Sequence, residues 1–259
     1  MDLGISGRTA LVMSSTRGLG FGCATALAAE GVRVVINGRD LERGKAAEVR
    51  LGSDALFVQA DVSRADGRAR LFEEARAHLG TVSILVTNAA GPRSGPSADE
   101  DDEDWLRAFE LTVVSALDMV RRCLPEMIHA GYGRVISISS TSAKEITPGA
   151  PLANGVRPAL VGALAAIARE VAPTGVTVNS LLAGPFDTDP MRRVAARALG
   201  RADLSPEAAL RIYAESRPMR RVGSIEEFGA LCAFLCSRHA GYITGQSIVI
   251  DGGQTPALL

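Results

Sequence analysis

A parallel α/β sheet with helices on both faces is the fold class this sequence predicts, and three observations lead to it. Short apolar runs alternate with amphipathic or alanine-rich segments along nearly the whole chain. The runs are close to continuously apolar, as strands covered on both faces require. The first run, Thr9–Met13, passes through Ser14-Ser-Thr-Arg17-Gly18-Leu19-Gly20 directly into the alanine-rich segment Phe21–Glu30, which reads as strand, tight turn and helix.

The remaining elements follow in order. A second strand, Arg33–Asn37, ends in Gly38-Arg39, and Asp40 caps a helix over Leu41–Leu51. A third strand, Ala55–Gln59, leads through Ala60-Asp61-Val62 into a charged helix over Arg64–Leu79. A buried strand, Val82–Thr87, then meets the turn Asn88-Ala89-Ala90-Gly91-Pro92. The acidic run Asp99–Asp104 reads as the N-terminal end of a long helix, Asp104–Ala130. Carboxylates there complement the positive end of the helix dipole, so no metal site is expected. Gly133–Ser140 is a fifth strand, followed by an alanine-rich helix over Ala153–Ala172, with Pro158 tolerable only in its first turns. Val176–Leu182 is a sixth strand. Ala183–Arg217 is irregular and helical by turns, and residues 184–217 have the composition of a substrate lid. A helix over Ser224–Ser237 and a last strand, Ser247–Ile250, complete a single domain spanning 1–259.

The bulk numbers exclude several classes. With 47% hydrophobic residues and a net charge of −1, the chain builds a large core and exerts no pull on nucleic acid or membrane. Met1-Asp2-Leu3-Gly4 lacks the basic and apolar regions of a secretory leader. No apolar stretch is expected to approach the roughly 20 residues of a membrane span. The four cysteines fall within predicted helices and read as buried apolar packing, which fits a cytoplasmic, reducing compartment.

Ligands of such sheets bind beyond the carboxyl ends of the strands. Those ends carry Ser14–Gly20, Gly38-Arg39, Asp61-Val62, Asn88–Gly91, Ser139-Ser140 and Ala183–Thr188, which form one contiguous site. Gly18 and Gly20 let backbone N–H groups and the helix N-terminus approach a pyrophosphate. A carboxylate ending the second strand would bind ribose hydroxyls and repel a 2′-phosphate. Gly38-Arg39 stands there instead, with Arg17 in the first turn, so NADP(H) is expected over NAD(H).

On these motifs the chain resembles the short-chain dehydrogenase/reductase family, of the kind that includes 3-oxoacyl-carrier-protein reductases, from Thr9 to Gly253. The family's Thr-Gly-x-x-x-Gly-x-Gly turn matches Met13–Gly20, with Ser14 at its first glycine. Its Asn-Asn-Ala-Gly turn matches Thr87-Asn88-Ala89-Ala90. Its Pro-Gly-x-x-x-Thr segment matches Ala183-Gly184-Pro185-Phe186-Asp187-Thr188, and Tyr242–Gln246 with Asp251–Gly253 matches its tail. The resemblance implies a Rossmann-like fold of about seven strands and a cofactor set of Ser14, Thr16, Arg17, Gly18, Leu19, Gly20, Arg39, Asp61, Val62, Asn88, Ala89, Ala90, Arg157, Gly184, Pro185 and Thr188. It also implies a homotetramer or homodimer; with Val113, Val114, Ala116, Ala163, Ala165 and Ala166 the two long helices carry more apolar faces than one sheet could cover, and a bundle between subunits is expected to bury the remainder.

The family's catalytic Asn, Ser, Tyr and Lys carry over unevenly. Ser140 matches the serine. The tyrosine, thirteen positions on, falls on Ala153, the lysine on Arg157, and the asparagine on Thr112. Ala153 has no proton to give, and Arg157 can bind ribose but is too basic to shuttle protons. Lys144, Glu145 and Tyr213 are the candidate replacement acids. Three functions follow: an NADP(H)-dependent carbonyl reductase or alcohol dehydrogenase with an altered proton path; a non-redox lyase, isomerase or cyclase; or a nucleotide-binding protein without turnover.

Overall fold

Strand residues alternate between two buried faces, and that alternation builds the molecule. The strands are β1 (Thr9–Val12), β2 (Arg33–Gly38), β3 (Ala55–Gln59), β4 (Ile84–Thr87), β5 (Gly133–Ser140), β6 (Val176–Ala183) and β7 (Ser247–Ile250). The computed structural model describes residues 1–200 and 204–256; residues 201–203 of the expected lid lie outside the described residues. All pairings are parallel and the strand order is β3-β2-β1-β4-β5-β6-β7. The order reverses beside β1, so the crevice between the carboxyl ends of β1 and β4 is the switch point where such sheets bind ligands.

Nine α-helices lie among the described residues: α1 (Gly18–Ala29), α2 (Leu41–Leu51), α3 (Ala65–Leu79), α4 (Asp102–Phe109), α5 (Ser115–His129), α6 (Pro151–Val171), α7 (Asp189–Leu199), α8 (Pro206–Glu215) and α9 (Ile225–Cys236). Leu11 of β1 turns to the face covered by α3, α5 and α6, where Leu71, Met119 and Leu164 join one core. Ala10 and Val12 turn to the other face, where α1 and α9 add Leu27 and Phe228 to a second. All four cysteines are free and buried.

Three expectations are corrected. The long helix expected over Asp104–Ala130 starts earlier, at Asp102, and is interrupted: α4 and α5 are joined by a π-helical segment, Glu110–Val114. Asp101 caps α4, with Asp104 completing a capping box, so the acidic run works as a helix start. Helix α6 begins at Pro151, which puts Pro158 inside the helix and not in its opening turn. Finally, the segment Pro151–Thr174 is 24 residues long and holds an 18-residue stretch with a mean hydropathy of 1.3, so by length and composition one span-length apolar helix does exist. Its alanines raise the average, while Leu152, Val156, Leu160, Leu164, Ala168 and Val171 form a stripe packed into the sheet core.

Candidate active site

The turn after β1 is pinned from both sides. Asn37, buried in β2, accepts from Ser14 N at 3.2 Å through its side-chain oxygen. From the end of β4, Asn88 Nδ2 donates to the Ser14 carbonyl at 2.9 Å. Ser15 Oγ donates to Val12 O at 2.6 Å and accepts from Asn37 N at 3.1 Å. The path forces Ser14 to φ +45° and Gly18 to φ +60°, both left-handed. Gly suits that region at either position, and Ser14 occupies it at a steric cost. A β-carbon on Gly20 would lie 2.8 Å from both Asn88 Nδ2 and Ser14 O, so the turn closes this tightly only with glycine there.

Helix α1 then starts without the usual compensation. Its N-cap, Arg17, makes no side-chain cap, and its first turn holds no acidic residue. Helices α4 and α9 of the same chain carry both. An uncapped, positive helix end behind a glycine turn fits a pyrophosphate.

At the end of β2, Arg39 is exposed and stands 3.8 Å from Asp61. Burial raises the Asp61 carboxyl, but hydrogen bonds from Ser63 and the charges of Arg39 and Arg64 outweigh it and hold it below its usual range. Val62 beside it is buried. Arg17 pairs with Asp189 at 2.7 Å, tying the turn to the first residue of α7, a link between positions 172 residues apart. Thr188 caps α7 through Met191 N, and its methyl lies 3.6 Å from where a Gly18 β-carbon would stand. Gly184 donates to Ile250 O at 2.9 Å and Pro185 accepts from Gly223 N at 3.0 Å, which anchors the segment leaving β6. Thr16 packs on Gly38, and Leu19 is partly buried against the α1 core.

Behind the switch point lies a small polar cavity. It is lined by Thr87, Asn88, Ala89, Ala90, Thr112, Ser115, Ser137, Ile138 and Arg157, among others, and offers the centre of a water about 10 Å³. The hydroxyls of Thr87, Thr112 and Ser137 are buried without a hydrogen-bond partner among the described residues. Thr112 sits in the π-helical segment, where widened turns commonly mark functional sites. A β-carbon on Gly91 would lie 3.4 Å from Arg157 Nη2, so the guanidinium reaches the turn after β4. No acidic side chain among the described residues pairs with Arg157. Burial pushes it down to about 10, which leaves it charged at neutral pH.

Ser140 ends β5, in register with Ala183 of β6, and starts the short 3₁₀ turn Thr141–Ala143. Its Oγ accepts from Ser142 N and from Ser142 Oγ, both at 3.2 Å. Ala153 is the third residue of α6 and is partly buried, with Arg157 one turn further on the same face.

A family model described as "Enoyl-(Acyl carrier protein) reductase" matches residues 13–255. "Dehydrogenase/reductase SDR family member 4" of Homo sapiens is 33% identical over 259 residues, covering 98% of this chain and 90% of the relative. This chain belongs to the short-chain dehydrogenase/reductase family. "NADPH-dependent reductase BacG" of Bacillus subtilis is 31% identical, covering 98% of this chain and 100% of the relative. The solved structure of L-sorbose reductase from Gluconobacter frateurii, complexed with NADPH and L-sorbose, superposes with a TM-score of 0.94 at 30% identity, covering 100% of both chains.

For this short-chain dehydrogenase/reductase the structure brings together Ser14–Gly20, Arg39, Asp61, Asn88–Ala90, Thr112, Ser140 and Arg157 along one sheet edge. Two of the candidate replacement acids are engaged elsewhere. Glu145 accepts from Thr255 Oγ1 at 3.0 Å, and Tyr213 packs in the small cluster between α7 and α8 with Arg217 stacked 4.3 Å from its ring centre. Lys144 is exposed. The residues missed from sequence are Thr87, Ser115 and Ser137 in the cavity, Ser142 beneath Ser140, and Asp189. The alternation of β5 gives a signal for Ser137, which shares a face with Ser139. Thr87 stands at the first position of the turn motif Thr87-Asn88-Ala89-Ala90, and nothing in the sequence marks Ser115, Ser142 or Asp189.

Proposed function

We propose that this protein is an NADP(H)-dependent carbonyl reductase or alcohol dehydrogenase for a small-molecule substrate, working through an altered proton path. The observation that carries this reading is the pairing of an uncapped, glycine-fronted α1 with a serine hydroxyl at the end of β5, on the same sheet edge. When bound, the nicotinamide supplies hydride to the substrate carbon. Ser14–Gly20 would hold the pyrophosphate, Arg17 and Arg39 the 2′-phosphate, and Arg157 the ribose hydroxyls. Ser140 donates a hydrogen bond to the carbonyl oxygen and stabilises the charge that develops there. At Ala153, on the assignment above, no side chain provides a proton, so a water or a substrate group beside it supplies the proton for the product oxygen. NADPH appears in the names of BacG and of the sorbose reductase complex, and Arg39 at the end of β2 with Arg17 in the first turn fits the same cofactor here.

We further infer one Rossmann-type domain over 1–259, with 184–217 as the substrate lid, in a cytoplasmic homotetramer or homodimer. Trp105, Leu106 and Phe109 on α4 are exposed apolar residues that suit an interface between subunits. Val113 and Ala116 are buried within the subunit and take no part in one.

The test is anaerobic incubation with NADPH and a carbonyl panel, with products weighed by mass spectrometry. A gain of two hydrogens supports the reductase. An unchanged or water-shifted mass indicates a lyase, isomerase or cyclase, and no product indicates a nucleotide-binding protein.

A further inference from the structure

Ser140 carries one O–H donor and two acceptor lone pairs. The Ser142 backbone N–H and Ser142 Oγ both lie 3.2 Å from its oxygen. Ser142 is 4% exposed, so it is walled off from any substrate, whereas Ser140 is only partly buried at the strand end. Resting on the reductase reading, we propose that Ser142 is a positioning residue that fixes Ser140 as a hydrogen-bond donor toward the substrate carbonyl.

With both lone pairs of Ser140 occupied from below, its single proton is left to point out of the turn. An O–H whose oxygen accepts hydrogen bonds is also more polar, because bonds in a chain polarise one another. If the Ser140 proton pointed back at Ser142, the group facing the substrate would be a lone pair, which repels a carbonyl oxygen. Ser142 therefore acts through Ser140 and touches no reactant. The 3₁₀ turn makes this possible, since only a tight turn brings residue i+2 back under the hydroxyl of residue i.

The test compares wild type with Ser142→Ala, Ser142→Cys and Ser142→Thr, using NADPH and cyclohexanone as the probe. The carbonyl stretch of ¹³C=O cyclohexanone bound beside NADP⁺ provides a second readout. Ser142→Ala and Ser142→Cys should lower kcat about 3- to 10-fold, the worth of one neutral hydrogen bond. The KM for NADPH should not move, and the stretch should shift back toward its value in free ketone. Ser142→Thr should restore both. The cysteine variant keeps the shape of the side chain, so a folding failure confined to alanine leaves the test standing. An unchanged kcat and stretch in a wild-type-like fold would overturn the inference alone. Wild type that binds NADPH but neither reduces cyclohexanone nor shifts its carbonyl stretch would overturn the reductase reading, and this inference with it.

Discussion

Asn88 reaches from the end of β4 to donate a 2.9 Å hydrogen bond to the carbonyl of Ser14, the residue of the β1–α1 turn held at φ +45°. The turn that fits a pyrophosphate is thus shaped by a neighbouring strand. Asn88→Ala should leave that carbonyl without its partner and relax the turn. NADPH affinity should weaken roughly 5- to 10-fold, as loss of one hydrogen bond predicts, measured by fluorescence titration. Ser14→Gly should move the other way, keeping both backbone hydrogen bonds and easing the left-handed strain, with stability unchanged or higher by up to about 1 kcal/mol.

Burial disfavours the charge of Arg157 and no acidic side chain among the described residues pairs with it, which suits the proposed hold on the ribose hydroxyls. Arg157→Met should leave the ligand-free protein as stable as wild type or more so. The thermal shift produced by NADPH should shrink in the same variant, because a ligand stabilises the fold in proportion to its binding. A loss of ligand-free stability with an intact NADPH shift would mean that Arg157 is structural.

Helix α9 carries a pH-dependent clasp. Hydrogen bonds from Arg221, then from the Ser224 backbone, hold Glu227 at about 2, below its ordinary 4.5. A carboxyl with a depressed folded value stabilises the protein above its unfolded value and loses that contribution as pH falls through the folded one. The urea midpoint of wild type should exceed that of Glu227→Gln at pH 6, with the difference fading between pH 4.5 and about 2. A difference independent of pH would exclude the clasp.

Thr177 of β6 is 3% exposed and its hydroxyl has no partner among the described residues. Thr177→Val keeps the branched shape and removes a buried polar group. It should stabilise the fold by about 1 kcal/mol, or raise Tm by roughly 2–4 °C. Calorimetry checks this, and a lower Tm would show that the hydroxyl is satisfied.

The strands were legible because a parallel sheet buries both faces, and each run of the Leu11-Val12 or Leu85-Val86 kind stands out between polar turns. The left-handed conformation at Ser14 was foreshadowed by the family's glycine at that position. The π segment was not, because Glu110-Leu-Thr-Val-Val114 contains no breaker to mark it. Helix α6 was misjudged at its start because Pro151, suited to the first helical position, reads in sequence as a turn residue. The Arg17–Asp189 pair and the Ser142–Ser140 contact depend on tertiary proximity and on a tight turn, which hydrophobic periodicity does not encode.

The central claim is that this site still directs hydride to a carbonyl under the guidance of Ser140. Its most direct test is transfer of deuterium from the reactive face of 4-deuterated NADPH into the product of a reducible ketone, in wild type and in Ser140→Ala. The predicted result is one deuterium at the carbinol carbon in wild type, with the rate falling by about 10²–10³ in the variant, as loss of an oxyanion donor does elsewhere. Product without deuterium, or a Ser140→Ala rate equal to wild type, would contradict it.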